Sequence, residues 1–395
     1  MQPRRYLRGL IIMGAALPAL LFSQSEIFGY FENETDGARI GGTDYSFGYN
    51  KLRVDLQAFP AEQVTVGANV NIRRYHGKTV WDVFDFLPEH ISQPWAELTG
   101  DSTMLFPLSD TLYLDNVYLK ARFKHFDLTV GKQQLSLGTG YAWNPTDIFN
   151  RVDLMDPTYE QTGVTSIRAE VPLGDRFGLD LIMAPEESWD RSAKMLQGKA
   201  GLGSFDFTGS YAEYTGAYPY WRAHNDNSAP PQIETTYKKI GTSTVGQIWE
   251  LGLWAELNFE IGDHPLDFHE YLLGIDHTFD FQTYMMVEYF HNSGGAEPDS
   301  LTFFDYLYSL GGETHSLMQD YMFVMASHPI SDVLSAGLMG IANLNDGSFA
   351  INPLLDWNAF ENVSVSLFLS YAVGDADSEF GLQEWAWRVR VRAYF

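Results

Sequence analysis

The chain has 395 residues, 51 acidic against 25 basic, a formal net charge of −26 and no cysteine. Such an acidic surface argues against nucleic acid as a partner, and the missing thiols exclude a disulfide framework, a lipidated cysteine and a thiolate metal site. With 45% hydrophobic and 15% aromatic residues the chain is too apolar for a disordered acidic tail.

Arg4, Arg5 and Arg8 precede an apolar run of 13 residues, Leu10 to Phe22. That is too short to span a bilayer as a helix and suits the apolar region of a secretory signal. Ser23-Gln24-Ser25 supplies small residues, so cleavage is expected after Ser25, leaving residues 26–395 as one barrel domain with a net charge of −29. No later run of about 18 apolar residues exists, which excludes helical spans. A membrane protein without helical spans must close its sheet on itself, because lipid offers an open edge no hydrogen-bond partner.

Several segments alternate with the period of a strand. Leu52, Val54, Leu56 and Ala58 alternate with Arg53, Asp55 and Gln57, and Pro60-Ala61 reads as a tight turn. Val64, Val66, Ala68, Val70 and Ile72 then alternate with Thr65, Gly67, Asn69, Asn71 and Arg73. Val117, Leu119, Ala121 and Phe123 alternate with Tyr118, Lys120 and Arg122. Leu251, Leu253, Ala255, Leu257 and Phe259 alternate with Gly252, Trp254, Glu256 and Asn258, and Val363 to Tyr371 keeps the same period. The last strand is the most informative: Trp387, Val389, Val391, Ala393 and Phe395 form one apolar face, and Arg388, Arg390 and Arg392 the other. It resembles the closing strand of an outer-membrane barrel, whose terminal aromatic residue is an assembly signal. The barrel-assembly machinery is therefore an expected partner, and outer-membrane lipid the expected surroundings.

Short connections are expected near Pro60, Lys124-His125, Gly174-Asp175, Gly203, Phe281, Ile330 and Asn358, and long ones over about 76–110, 138–163, 215–235 and 293–318. Short periplasmic turns alternating with long external loops mark an all-β antiparallel transmembrane barrel. Threading gives 18 strands if the weak pattern at about 236–246 is a strand, and 16 if it is loop. Either number leaves room for a water-filled lumen.

Charge is divided along the chain. Between Ile240 and Trp387 there are 22 acidic residues and no Lys or Arg. The expected basic lining is Arg53, Arg73, Arg122, Lys132, Arg168, Lys199, Arg388, Arg390 and Arg392, with the three C-terminal arginines forming a contiguous cationic strip. The expected acidic lining opposite is Glu250, Glu256, Asp276 and Glu288. Such a field orients charged solutes in a narrow channel; the alternative is that the arginines pair with lumenal carboxylates merely to fill the barrel.

The segment Gly131 to Phe149, reading GKQQLSLGTGYAWNPTDIF, resembles the strand-then-infolded-loop signature of alginate-export-like barrels and related uncharacterised porin-like outer-membrane proteins. Gly274-Ile275-Asp276-His277-Thr278-Phe279 with Val287-Glu288-Tyr289-Phe290 resembles a second hairpin of that set. The resemblance implies a constriction loop carrying Tyr141, Trp143, Asn144 and Asp147. Physically, Gly138 and Gly140 permit a sharp departure from the strand and Pro145 stiffens the residues after it, which fits either a loop that constricts the pore or an external loop that packs on the rim. The segment Val80 to Leu87 reads as a small plug helix or rim cover.

Catalysis finds no support: HExxH, GxSxG and a P-loop are missing, and Asp206, Ser210 and His264 show no spacing that singles them out. No cofactor or metal is expected. The leading reading is a porin-like channel for small hydrophilic solutes in the outer membrane of a Gram-negative-type bacterium. Its rival is a sleeve around a partner such as a multihaem cytochrome; the chain itself has no CxxCH site.

Overall fold

The computed structural model describes residues 24–40, 42–100, 103–150, 160–217, 234–261, 268–298, 301–310 and 316–395. The secretory-signal reading of residues 1–25 falls almost wholly outside them. Strands β1 (Gln24–Ile40), β2 (Thr43–Ala61) and β3 (Val64–Gly77) are joined by short connections. Strand β4 comes in two pieces, Thr111–Tyr113 and Val117–Arg122, both paired with β3. Between them the chain bends over the Asn69 side chain, which accepts the N–H groups of Asp115 and Asn116 at 2.9 Å each.

Strands β5 (Asp127–Gln133), β6 (Val164–Pro172), β7 (Phe177–Ala184), β8 (Ala193–Leu202) and β9 (Phe205–Ala217) come after it. Next come β10 (Glu234–Ile248), β11 (Leu251–Ile261), β12 (Phe268–Thr278) and β13 (Tyr284–Asn292). The last are β14 (Asp320–Ser331), β15 (Leu334–Asn343), β16 (Phe349–Phe360), β17 (Val363–Val373) and β18 (Gln383–Tyr394). Each pairs antiparallel with the next, and β18 pairs with β1, so 18 strands form a closed barrel. Closure is what the backbone requires in lipid, since it leaves no edge.

The weak pattern at 236–246 is the centre of β10. Strands run further than hydrophobicity alone marks. β2 passes through Pro60 to Ala61, β14 passes Ile330 to Ser331, and β16 passes Asn358 to Phe360, each turning just beyond. β1 has no clear apolar period, because the positions alternating with inward Glu32, Glu34 and Asp36 include Gly29, Asn33, Thr35 and Gly37. One barrel end carries the short turns, the start of β1 and Phe395; the other carries the long connections.

Alternation sorts the side chains. On β18 Trp385 and Val391 are each 37% exposed on the outer face, whereas Arg390, pointing inward, is 4% exposed. The interior near the long-loop end is partly filled. A 3-10 turn (Val83–Phe86), helix α1 (Glu89–Thr99) and helix α2 (Phe303–Leu310) pack onto inward residues of β12 to β16, including Leu272, Phe290, Tyr321, Phe323 and Met339. The Trp95 and Phe303 rings stack at 4.2 Å. Leu367 on β17 faces outward opposite Val389 of β18. Leu367→Arg is therefore expected to cost about 2–4 kcal/mol in a lipid bilayer, read from reversible urea unfolding in vesicles. An unchanged midpoint would place that face in the lumen.

Candidate functional site: the constricted lumen

The closing seam carries an ionic ladder. Register sets Arg388 opposite Asp36, Arg390 opposite Glu34 and Arg392 opposite Glu32. The corresponding contacts are 2.7 Å for Arg388–Asp36, 2.5 Å for Arg390–Glu34 and 2.5 Å for Arg392–Glu32. The Tyr49 hydroxyl donates to Glu32 and Glu34 at 2.9 and 3.1 Å. The expected bare cationic strip is thus a paired ladder, because the neighbour of the last strand is β1, with its own acids, and not the Arg-bearing strands after it. Next along the wall, Arg53 grips Asp55 at 2.8 Å. Arg73 lies over the Tyr49 ring at 4.7 Å, with no carboxylate in ion-pair range among the described residues.

The other sequence-marked cations are dispersed. Arg168 is bound to Asp180 on β7 through Nε at 3.0 Å to each carboxylate oxygen. Lys199 is exposed to a cavity of about 740 Å³ inside the short-turn half, also bounded by Asp180, Asp206 and Gly138. Arg122 sits exposed at the short-turn end of β4. Lys132 is not in the lumen. Its register partner is the outward Val117, while Thr129 and Gln133 of the same strand point in, and its ammonium donates to the Leu114 carbonyl at 2.9 Å. Lys120, not singled out by sequence, is the inward cation there, 3.2 Å from both Asp127 and Glu170.

The expected acidic lining serves a different purpose. Residues 134–150 fold into the barrel and lie on β11 to β13. Glu256 accepts hydrogen bonds from the Thr139, Gly140 and Thr146 N–H groups and from both threonine hydroxyls; the Gly140 and Thr146 N–H contacts are 2.9 and 3.0 Å. Glu288 accepts the Tyr141 and Ala142 N–H groups at 2.5 and 2.6 Å, and the Trp254 indole at 2.6 Å. Both carboxylates are consequently buried, at 2% and 0% exposure. Asp276 takes the Tyr284 hydroxyl at 2.9 Å. Glu250 stands exposed in the turn between β10 and β11 and joins neither group.

The loop needs its glycines. Gly138 has φ +85°, and a Cβ there would lie 2.8 Å from a Glu256 oxygen. At Gly140 a Cβ would collide with the Trp143 carbonyl. Trp143 stacks on Phe290 at 5.1 Å and 9°, so it packs into the interior cluster. Tyr141 lies 5.8 Å from Phe323 and stays 41% exposed. Asn144 gives its carbonyl to the Asp147 N–H at 3.0 Å. The Asp147 carboxylate closes the loop by accepting from Leu137, Phe149 and Asn150 at 3.1, 2.8 and 3.1 Å. Its burial pushes its pKa up to about 6, against the pull of those N–H groups. The loop base buries Leu135 and Leu137 against Ile182, Met195 and Ala212.

The returning limb touches the opposite wall. Glu160 accepts from the Tyr30 hydroxyl at 2.7 Å, Lys51 at 2.8 Å and Arg53 at 3.0 Å. Burial raises the cost of its charge, but Lys51, Tyr30 and Arg53 together outweigh that and hold its pKa down at about 2. Neither Lys51, Tyr30 nor Glu160 carried a signal in the sequence, since an isolated carboxylate in a loop does not reveal which wall it reaches. Of the catalytic candidates, His264 lies outside the described residues. Ser210 donates to the Gly241 carbonyl at 3.4 Å, as a lumen wall residue does.

No family model matches the chain, and no curated protein does. The alginate-export-like resemblance accordingly finds no support. Solved structures do match in fold. The outer membrane protein OprD from Pseudomonas aeruginosa superposes with a TM-score of 0.56 at 10% identity, covering 94% of each chain. Pseudomonas aeruginosa OccK2 in complex with glucuronate gives 0.56 at 10% identity over 94% of this chain and 98% of its own. Acinetobacter baumannii OccAB4 gives 0.55 at 10% identity, over 94% of this chain and 98% of its own. The fold is thus that of an 18-stranded porin-like barrel.

Removing both anchors, Glu256→Ala with Glu288→Ala, orphans five loop N–H groups, at about 1–3 kcal/mol for each left without water. Chymotrypsin is expected to cut after Tyr141 or Trp143 in that variant but not in the parent; equal resistance would show that packing alone holds the loop. The Glu160 contact predicts a pH dependence. Its folded pKa lies below the ordinary 4.5, so its contribution is complete above pH 4.5 and is lost as pH falls towards 2. Open-channel current noise should rise as pH is lowered through that window in the parent. In Glu160→Gln the noise should already be high at pH 6; equally quiet currents there would remove Glu160 from the restraint.

Proposed function

We propose that the chain is an outer-membrane channel through which small hydrophilic solutes diffuse, narrowed by residues 134–150 and by Glu160. The observation that carries this reading is the loop itself, anchored on Glu256 and Glu288 of one wall and returning through Glu160 to Lys51 and Arg53 of the other. A loop held across a lumen restricts what passes, and a barrel of this strand number has an interior wide enough to be restricted. The fold shared with OprD and with OccK2, whose structure contains glucuronate, supports a solute channel.

In this reading the walls remain electrically unlike, though in a modified form. The β18–β1–β2 wall presents guanidinium and carboxylate in alternation, and the β11–β13 wall presents carboxylates that bind peptide N–H groups. The sleeve reading gains nothing from the interior, where α1, α2 and residues 134–150 occupy space that an inserted cytochrome would need.

Refolded protein in planar bilayers is expected to give discrete conductance steps, and a folded barrel without them would overturn the channel. Replacing Arg388, Arg390 and Arg392 by Gln removes the guanidinium groups paired with Glu32, Glu34 and Asp36. Reversal potentials should then shift towards cations at low salt and return at 1 M, where the Debye length is about 3 Å. Heat-modifiable gel migration separates this outcome from misassembly of the closing strand. Unchanged selectivity in a folded variant would confine the ladder to a structural role.

A further inference from the structure

A pocket of about 360 Å³ lies between the top rung of the ladder and the folded-in residues 80–87 and 103–108. Phe47 of β2 and Phe368 of β17 contribute rings from the wall, and Trp81, Phe86 and Phe106 from the folded-in residues. The rings form a continuous run: Phe47 to Trp81 is 4.9 Å edge to face, Trp81 to Phe86 is 5.7 Å, and Phe86 to Phe106 is 6.4 Å. An apolar cavity of about 150 Å³ suffices for benzene, so this volume accommodates a substituted ring or a bicycle.

The charges around the pocket are already satisfied. Arg388 at its edge contacts Asp36 at 2.7 Å and Glu34 at 3.5 Å, so two carboxylates face one guanidinium and an incoming anion meets no free cation. The Trp81 ring already carries a cation, Lys78, at 4.9 Å, and the same ammonium lies 3.9 Å from the Tyr45 ring centre. That ammonium is itself paired with Asp85 at 3.5 Å, so the cation position on the ring is already taken. Asn352, which lines the pocket, is different. It is 7% exposed, yet its side-chain amide makes no hydrogen bond among the described residues. It adjoins Pro353, where the pairing of β16 with β17 lapses between Ile351–Tyr371 and Leu354–Phe368. Its amide opens onto the pocket and is not sealed away from solvent, so a ligand hydroxyl or amide can reach it and hydrogen-bond to it.

We propose that this pocket is a capture site for a small uncharged aromatic solute bearing one hydrogen-bonding group, which Asn352 receives. The assignment of a solute rests on the channel reading; the binding itself does not. Aromatic faces supply contact area and offset or edge-on ring geometry. The paired ladder excludes net charge, and the uncommitted amide sets the orientation.

The test uses the full refolded chain in micelles and saturation-transfer NMR with three probes of matched shape: benzyl alcohol, benzoate and benzyltrimethylammonium. Ala38, buried in the same wall, lines the pocket. Saturable binding of benzyl alcohol is expected, weakened about tenfold by Ala38→Phe, which fills the space, and about fivefold by Asn352→Ala. Heat-modifiable migration verifies the barrel of each variant, and Asn352→Ala stands alone if Ala38→Phe does not fold. Tighter binding of benzoate or of the ammonium probe would overturn the uncharged assignment. Non-saturable uptake, the same in parent and variants, would overturn the site. A protein that binds benzyl alcohol but passes no current would overturn the channel and leave the pocket, so the two failures are distinct.

Discussion

A loop that crosses the inside of a barrel has no sheet to receive its N–H groups, and everything about this lumen depends on how that need is met. The strands are already paired on both sides and can lend only side chains. Glu256 and Glu288 do so, each offering two oxygens with several acceptor directions to amides of residues 139–146. Bonds to an ionised acceptor are stronger than neutral ones. The arrangement works in both directions, because the peptide dipoles compensate carboxylates that would otherwise be costly to bury. Glu256 and Glu288 can therefore stay buried in a stretch, residues 240–387, that has no Lys or Arg of its own.

The opposite wall solves the same electrostatic problem with side chains. Buried ion pairs are weak evidence of net stability, since desolvation offsets attraction. Their role at the seam is better understood as register. With Asp36, Glu34 and Glu32 matched one to one by Arg388, Arg390 and Arg392, sliding β18 along β1 by two residues strands a charge at each end, and sliding by one turns the arginines into lipid. The last strand to be made is thus told where to close. Glu160 then links this seam wall to the constriction loop, so that closure and constriction share residues.

Much of this was legible in the chain. Period-two alternation marks the strands whose outer face is aliphatic, and the long connections fall where it lapses. The Gly138–Gly140 pattern and the aromatic residues after it mark a loop that leaves its strand sharply, while its bonds to Glu256 and Glu288 decide that it enters the lumen and does not pack on the rim. β1 escaped because its alternation is acid against mixed small and polar residues, which carries no apolar signal. Lys132 was misplaced because a lysine at the end of a strand suits either face: its long stem lies along the apolar outside while its ammonium reaches a carbonyl.

The chain alone determined that the sheet had to close, which end carries the turns, and which residues of each marked strand face inward, because these depend on side-chain period and on lipid's inability to accept hydrogen bonds. Only the tertiary structure decided what the inward charges meet. Arg388, Arg390 and Arg392 read as a cationic strip or as partners of unnamed carboxylates until register set them opposite Asp36, Glu34 and Glu32, and Glu256 and Glu288 read as open acids until the loop covered them. The pairing depends on register between chain ends more than 350 residues apart and on where a loop lands over 100 residues from its anchors. Local sequence carries no term for either distance.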